Sequence, residues 1–280
     1  MEVINNISEI KRVLSMHRSK GESIGFVPTM GALHQGHISL VDKAINENDI
    51  LVVSIFVNPT QFNDKSDLKN YPRTPENDIE ILKKSGVKYI FLPDEIEIYP
   101  EPDTRIFDFG QLDKVMEGEH RPGHFNGVAQ VVSKLFDIVE PNRAYFGQKD
   151  FQQLAIIRQL VKMFNLNIEI IPCPIVRELD GLAMSSRNLL LEPSIRQSAP
   201  IIFKTLTEAR NKTNELTVKN LINWVVTNIN KDNNLKVEYF SLVDSLTLQP
   251  ILNWNDSESI IGCIAVQAGK IRLIDNAFFK

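Results

Sequence analysis

Ile24-Gly25-Phe26-Val27-Pro28-Thr29-Met30-Gly31-Ala32-Leu33-His34-Gln35-Gly36-His37 is the stretch that decides the fold. The apolar run 24–27 reads as a buried strand, which breaks at Pro28, turns through Gly31 and opens a helix near His37. A strand, tight turn and helix start in that order offer backbone N–H groups and a positive dipole end to an anion. His34 and His37, three positions apart, add side-chain donors on one face of the first helical turn. The pair also reads as an ordinary exposed helix end or as two metal ligands, with Gly31 and Gly36 serving tight turns. A zinc site requires a third ligand, and among five histidines and two cysteines none lies at a short zinc spacing from this pair. The segment therefore points to a nucleotide phosphate.

Outward from it, helical and strand periodicity alternate. Residues 7–17, 38–46, 75–85, 128–138 and 150–164 have helical spacing, while 24–27, 50–57, 87–91, 143–146 and 168–171 are short apolar strands. Continuous apolar strands between helices indicate a parallel sheet covered on both faces, hence a doubly wound α/β fold. From about residue 178 the rhythm changes. Two helical stretches, 193–211 and 218–230, precede strands at 237–243, 260–266 and 271–274, which predicts a smaller α+β domain. The expected division is 1–177 and 178–280, with the C-terminal domain closing over the site.

The chain has 280 residues, 43% of them hydrophobic, ample for a full core. Lys and Arg total 31 against 35 Asp and Glu, a net charge of −4, and no polybasic block occurs. That balance disfavours a nucleic-acid or anionic-membrane surface. Cys173 and Cys263 form no C-x-x-C motif, so a disulfide framework is not expected and a reducing compartment fits. No secretory signal or bilayer-spanning run is legible, so the expected location is the cytoplasm.

Ligands of open parallel sheets lie beyond the carboxyl ends of strands. After strand 50–57 comes Asn58-Pro59-Thr60-Gln61-Phe62, and after strand 143–146 comes Gly147-Gln148-Lys149-Asp150. Gln61 reads as a solvated loop amide or as a group that fixes a small polar substrate through donor and acceptor. Lys149 reads as an exposed lysine or as charge compensation for a phosphate, and Asp150 as an N-cap or a nucleotide contact. At the expected boundary, Met184-Ser185-Ser186-Arg187 places two hydroxyls beside a guanidinium, an oxyanion binder or a polar hinge. Arg121-Pro122-Gly123-His124-Phe125 is a turn that reads as a flap or a connector. Trp224 and Trp254 are taken as packing residues.

Together these motifs resemble the pantoate–β-alanine ligases, or pantothenate synthetases. The resemblance runs through Pro-Thr-Met-Gly-Ala-Leu-His-Gln-Gly-His (28–37), Phe-Val-Asn-Pro-Thr-Gln-Phe (56–62), Tyr-Pro-Arg-Thr (71–74) and Arg-Pro-Gly-His-Phe-Asn-Gly-Val (121–128). It continues in Phe-Gly-Gln-Lys-Asp (146–150), Gly-Leu-Ala-Met-Ser-Ser-Arg-Asn (181–188) and Gly-Lys-Ile-Arg-Leu-Ile-Asp-Asn (269–276). It implies a Rossmann-like fold of nucleotidylyltransferase type, related to class I aminoacyl-tRNA synthetases, and a homodimer. Residues 183–187 would stand where those synthetases carry Lys-Met-Ser-Lys-Ser. This chain lacks those lysines, so Arg187 would carry the cationic role.

The implied reaction condenses pantoate with β-alanine at the expense of ATP and Mg²⁺. The resemblance implies His37, His34 and Lys149 as catalytic residues. It places ATP against Met30, Gly31, Ala32, Leu33, His34, Gln35, Gly36 and His37, then Gly147, Gln148, Lys149, Asp150, Val176, Met184, Ser185, Ser186 and Arg187. Gln61 and Gln153 would bind pantoate, with Asn58 and Arg121 as weaker assignments. Asp78 would be a metal ligand by resemblance, against its plain reading as a helix-surface carboxylate. Two rivals stand beside this: another His-x-Gly-His nucleotidylyltransferase, and a non-catalytic nucleotide- or RNA-binding scaffold.

Overall fold

In the computed structural model, which describes all 280 residues, β2 (Ile24–Thr29) and β3 (Ile50–Ile55) lie parallel, with Ile24 opposite Ile50 and Thr29 opposite Ile55. Every residue of β3 is buried, as expected of a central strand covered on both faces. Each of its aliphatic side chains contributes roughly 1.5–3 kcal/mol through removal from water. Around this pair the sheet runs β1-β4-β3-β2-β5-β6, adding β1 (Glu2–Ile4), β4 (Tyr89–Phe91), β5 (Arg143–Gly147) and β6 (Glu169–Cys173). All of these pairings are parallel. The chain builds outward from β2 through β3 to β4, then resumes at β5 on the other side of β2. The switch point therefore falls between β2 and β5, where open α/β sheets bind ligands.

The helices of the first two-thirds are α1 (Ile7–Ser19), α2 (Gln35–Glu47), α3 (Lys65–Asn70), α4 (Pro75–Lys84), α5 (Glu95–Ile98), α6 (Glu117–His120), α7 (His124–Val139) and α8 (Phe151–Met163). Asn6 caps α1 by accepting from the Ser8 and Glu9 amides. Leu40, Val41 and Ala44 of α2 pack with Val27, Leu51, Val53 and Tyr145 in the core of this sheet. Helix α7 starts four residues before the expected 128, because Gly123 takes φ +82° and turns the chain directly into it. Nearly all of α7 is buried.

The chain divides into two compact units. The first comprises Met1–Phe109, Arg121–Gln148 and Gln153–Pro174; the second comprises Gly110–His120, Lys149–Gln152 and Ile175–Lys280. The second thus begins near the expected division and also takes two segments that a cut at 177/178 leaves with the first. It contains an antiparallel sheet of β7 (Leu235–Asp244), β8 (Ile260–Ala268) and β9 (Ile271–Phe278). The helices α9 (Pro193–Ser198), α10 (Ile201–Arg210) and α11 (Val218–Ile229) precede it. The single helix expected over 193–211 is broken, since Pro200 has no N–H with which to continue the ladder. The core of this unit gathers Leu206, Leu221, Val225, Leu242, Ile264 and Val266. Trp224 and Trp254 pack against it, and the Trp254 indole donates to Leu216 O at 2.8 Å. No helix is long and apolar enough to cross a membrane.

Candidate active site

At the end of β2, the Thr29 hydroxyl donates to Ser54 O at 2.8 Å and accepts from the Gly31 amide at 3.2 Å. The chain then turns through Gly31 (φ +80°) and Ala32 (φ +49°). A Cβ on Gly31 would stand 2.9 Å from Asp78 Oδ2 and 3.1 Å from Ile55 Cγ2, so both conformation and space require glycine. Asp78, in the first turn of α4, is fully buried. Its Oδ2 accepts from the Ala32 amide at 2.9 Å, and its Oδ1 accepts from the Leu33 amide at 2.8 Å and the Thr74 hydroxyl at 3.2 Å. Burial of a carboxyl is tolerated only with such partners.

Asp78 is thus no helix-surface group. Neither does it fit a resident metal centre: both its oxygens hold the loop, and no group of three or more His, Cys, Asp or Glu is placed to cage an ion.

His34 is the N-cap of α2. Its Nδ1 accepts from the Gly36 amide at 3.1 Å, while His37 Nδ1 accepts from the His34 amide at 3.3 Å. This is a reciprocal capping box built from two imidazoles, whose ring centroids are 4.1 Å apart. Each Nδ1 acts as an acceptor, so each neutral ring carries its proton on Nε2 and is a donor there. The amides of residues 31–34 and of Gly36 are all engaged within the protein. The free amides expected of this turn are therefore spent on shaping it. What it can present to an anion is the helix dipole and imidazole N–H groups.

Beyond β3, a short turn of 3-10 helix (Pro59–Gln61) carries Gln61, whose Nε2 lies 3.1 Å from Met30 Sδ. The structure thereby brings Gln61 to the loop of residues 30–37. His124, at the start of α7, is buried and its Nδ1 donates to Gln61 O at 2.8 Å, with Arg121 Nη1 3.2 Å from its Nε2. Asn58 is 1% exposed and hydrogen-bonds only within the protein. On the other side of the switch point, β5 ends at Gly147, followed by Gln148. A Cβ on Gly147 would meet no heavy atom beyond its chain neighbours within 4 Å, so space does not require glycine there. Gln153 is half-buried on α8.

The other expected ATP residues lie in the second unit. The Met184 amide donates to Val176 O at 3.0 Å, closing a hairpin over residues 176–184 whose tip is Gly181 at φ +93°. Arg177 holds it. Its guanidinium grips the buried Asp275 in a fork of 2.7 and 2.9 Å, donates to Gly181 O at 3.1 Å and lies 3.7 Å from the Phe203 ring centroid. Asn188 Nδ2 donates to Glu178 Oε1 and Ala183 O. Ser185 caps the following turn by accepting from the Arg187 amide at 3.3 Å. Asn276, beside Asp275, donates to Lys149 O at 3.0 Å. Sequence reading did not foresee the hydrogen bonds of Tyr99, Arg177 and Asp275 and of the Asn188 side chain, and left His124 undecided.

The family model described as pantoate-beta-alanine ligase matches residues 2–278. Pantothenate synthetases of Porphyromonas gingivalis and Bacteroides fragilis are 53% and 52% identical, over all of this chain and 100% and 99% of theirs. Among solved structures, pantothenate synthetase from Thermus thermophilus superposes with a TM-score of 0.93 at 39% identity, covering 100% of this chain and 99% of that one. The Francisella tularensis pantoate-beta-alanine ligase, described as complexed with beta-gamma ATP and beta-alanine, gives 0.83 at 39% identity, covering 100% and 98%. With the two-histidine cap at the sheet's switch point and a match along nearly its whole length, the chain belongs to the pantoate–β-alanine ligase family.

Proposed function

We propose that the protein condenses (R)-pantoate with β-alanine to give pantothenate, through a pantoyl-adenylate intermediate, with release of AMP and pyrophosphate. The observation that carries this reading is the imidazole pair capping α2 at the switch point, with the Gln61 amide held against the same loop. A carboxylate is a poor acyl donor because its leaving group would be oxide. Its oxygen therefore first attacks the α-phosphorus of ATP, forming the acyl phosphate bond as the bond to pyrophosphate breaks. The β-alanine amine then attacks the acyl carbon, and AMP leaves.

His37 Nε2–H donates to phosphate oxygens that gain charge as pyrophosphate departs, with His34 beside it. Preorganised donors at a helix start lower the barrier because they need no reorientation during the reaction. Gln61 and Gln153 bind pantoate. From the second unit, Lys149, Val176 and residues 184–187 are assigned to ATP on the family resemblance, Lys149 offsetting negative charge. Mg²⁺ is assigned to the substrate as the MgATP complex, where it neutralises phosphate charge. A homodimer is assigned on the same resemblance, and the cytoplasm on the two free, buried cysteine thiols.

Purified protein given MgATP, with pantoate and β-alanine omitted in turn, tests the reading. Expected is formation of AMP and pyrophosphate that needs pantoate, and pantothenate that needs both acids. Binding of ATP without stimulation by either acid would overturn it.

A further inference from the structure

The Asn58 and Gln61 amides form a chain whose polarity is dictated at one end. A peptide carbonyl can only accept, so the Asn58 atom 3.1 Å from Gly127 O is its donor, Nδ2. The second hydrogen of that nitrogen reaches Gln61 at 3.1 Å, which makes the Gln61 atom there Oε1. Its other end, Nε2, is thereby turned to Met30. Behind Asn58, Oδ1 accepts from the Tyr99 hydroxyl at 2.8 Å and from the Thr60 hydroxyl at 3.1 Å. Asn58 thus spends both hydrogens and both lone pairs inside the protein, and none on a substrate.

The carbonyl that sets this polarity is brought in by a close backbone crossing. A Cβ on Gly127 would stand 2.2 Å from Thr60 O and 2.7 Å from Gln61 Cα. Flipping the Asn58 amide would oppose Oδ1 to Gly127 O and leave two buried partners unsatisfied, which the folded state disfavours. Burial pushes the Tyr99 phenol up to about 12, so its hydroxyl remains a donor across the working pH range.

We propose that Tyr99 and Asn58 are positioning residues that hold the Gln61 amide with its NH₂ end toward the substrate, so that this position selects an oxygen acceptor on the acid. It rests on the ligase reading above. A carboxylate or hydroxyl oxygen satisfies the NH₂ group, whereas a donor at the same place would leave both unpaired.

Two measurements test it, the first without substrate. In protein carrying labelled glutamine amides and methionine methyls, a nuclear Overhauser contact between the Gln61 NH₂ and the Met30 methyl is expected. Its absence overturns the proposal whatever the enzyme's substrate. The second is a kinetic cycle with Tyr99→Phe, Asn58→Asp and Gln61→Ala, each single change also combined with Gln61→Ala. Loss of the Tyr99 hydroxyl's bond to Asn58 in Tyr99→Phe should raise the pantoate KM about fivefold and leave the ATP KM unchanged. Asn58→Asp should raise it further, because the new carboxylate draws the Gln61 NH₂ away from the site. In the Gln61→Ala background neither change should add anything. Effects that multiply in that background, or an equal rise for ATP, would show a merely structural role. Should the wild type fail to turn over pantoate, the ligase reading falls and the Overhauser contact still decides the amide's polarity.

Discussion

The loop after β2 and the hairpin over residues 176–184 are held by opposite means. In the loop, a fully buried carboxyl, Asp78, grips the backbone itself through the Ala32 and Leu33 amides. In the hairpin, a partly exposed side chain, Arg177, reaches to Asp275, and Arg196 ties Asp180 and Glu178 near the surface. A backbone fixed by short bonds to a buried group has little freedom left, while long side chains around a hairpin can re-form their pairs after a displacement. The first arrangement suits preorganised donors, the second a segment held by side chains rather than by its backbone.

The strongest way to break this contrast is Asp78→Asn. An amide has one acceptor oxygen, so of the two backbone amides it faces, one meets an NH₂ group and is left unsatisfied. The expected loss is about 3 kcal/mol of stability in urea unfolding. Displacement of the histidine cap should cut AMP formation about a hundredfold. A variant of normal stability and activity would show that the loop needs no buried carboxyl.

His37→Ala leaves Asp78 in place and removes one donor. AMP formation should fall about a hundredfold. Unfolding should stay cooperative and lose only about 1 kcal/mol for the missing cap bond. Rapid-quench measurement of adenylate formation separates the two effects. A near-normal rate would remove His37 from the chemistry.

In the hairpin, Asp275→Asn weakens the fork to Arg177 while the stacking on Phe203 survives. An ATP KM raised about tenfold, near 1.4 kcal/mol, is expected with kcat little changed. A fall in kcat as large as that of Asp78→Asn would mean that the hairpin is held as rigidly as the loop, and the contrast would fail.

The elements at the switch point were legible because their signals are local. Pro28, Gly31 and the apolar runs on either side fix strand, turn and helix within fourteen residues. The strands 143–146 and 168–171 were found for the same reason, and β9 was found short, since the adjacent polar pair Asp275-Asn276 interrupts its apolar run. What sequence did not disclose is long-range pairing. Asp78 lies 45 and 46 residues from the amides it holds, and on an amphipathic helix its carboxyl reads as solvated. Arg177 and Asp275 are 98 residues apart. Asn58 was assigned to substrate by the family resemblance, among its weaker assignments. Only its four internal partners show where its hydrogen bonds go.

Asp244 offers the smallest effect and the sharpest control, because it does on the surface what Asp78 does in the interior. It ends β7 and accepts from Ser257 Oγ, the Thr247 amide and hydroxyl, and the Leu246 amide. The Ser257 hydrogen bond, followed by those to Thr247 and Leu246, holds its carboxyl at about 2, below the ordinary 3.8. A depressed folded value means that this group stabilises the protein fully above the unfolded value and ceases to do so as pH falls from about 4 through about 2. With screening at this partly exposed site, the contribution is about 1 kcal/mol. Wild type and Asp244→Asn should therefore differ in unfolding midpoint at pH 6 and converge towards pH 2, with ligase activity equal at neutral pH. A difference that persists at pH 2 would assign the stabilisation to turn geometry rather than charge.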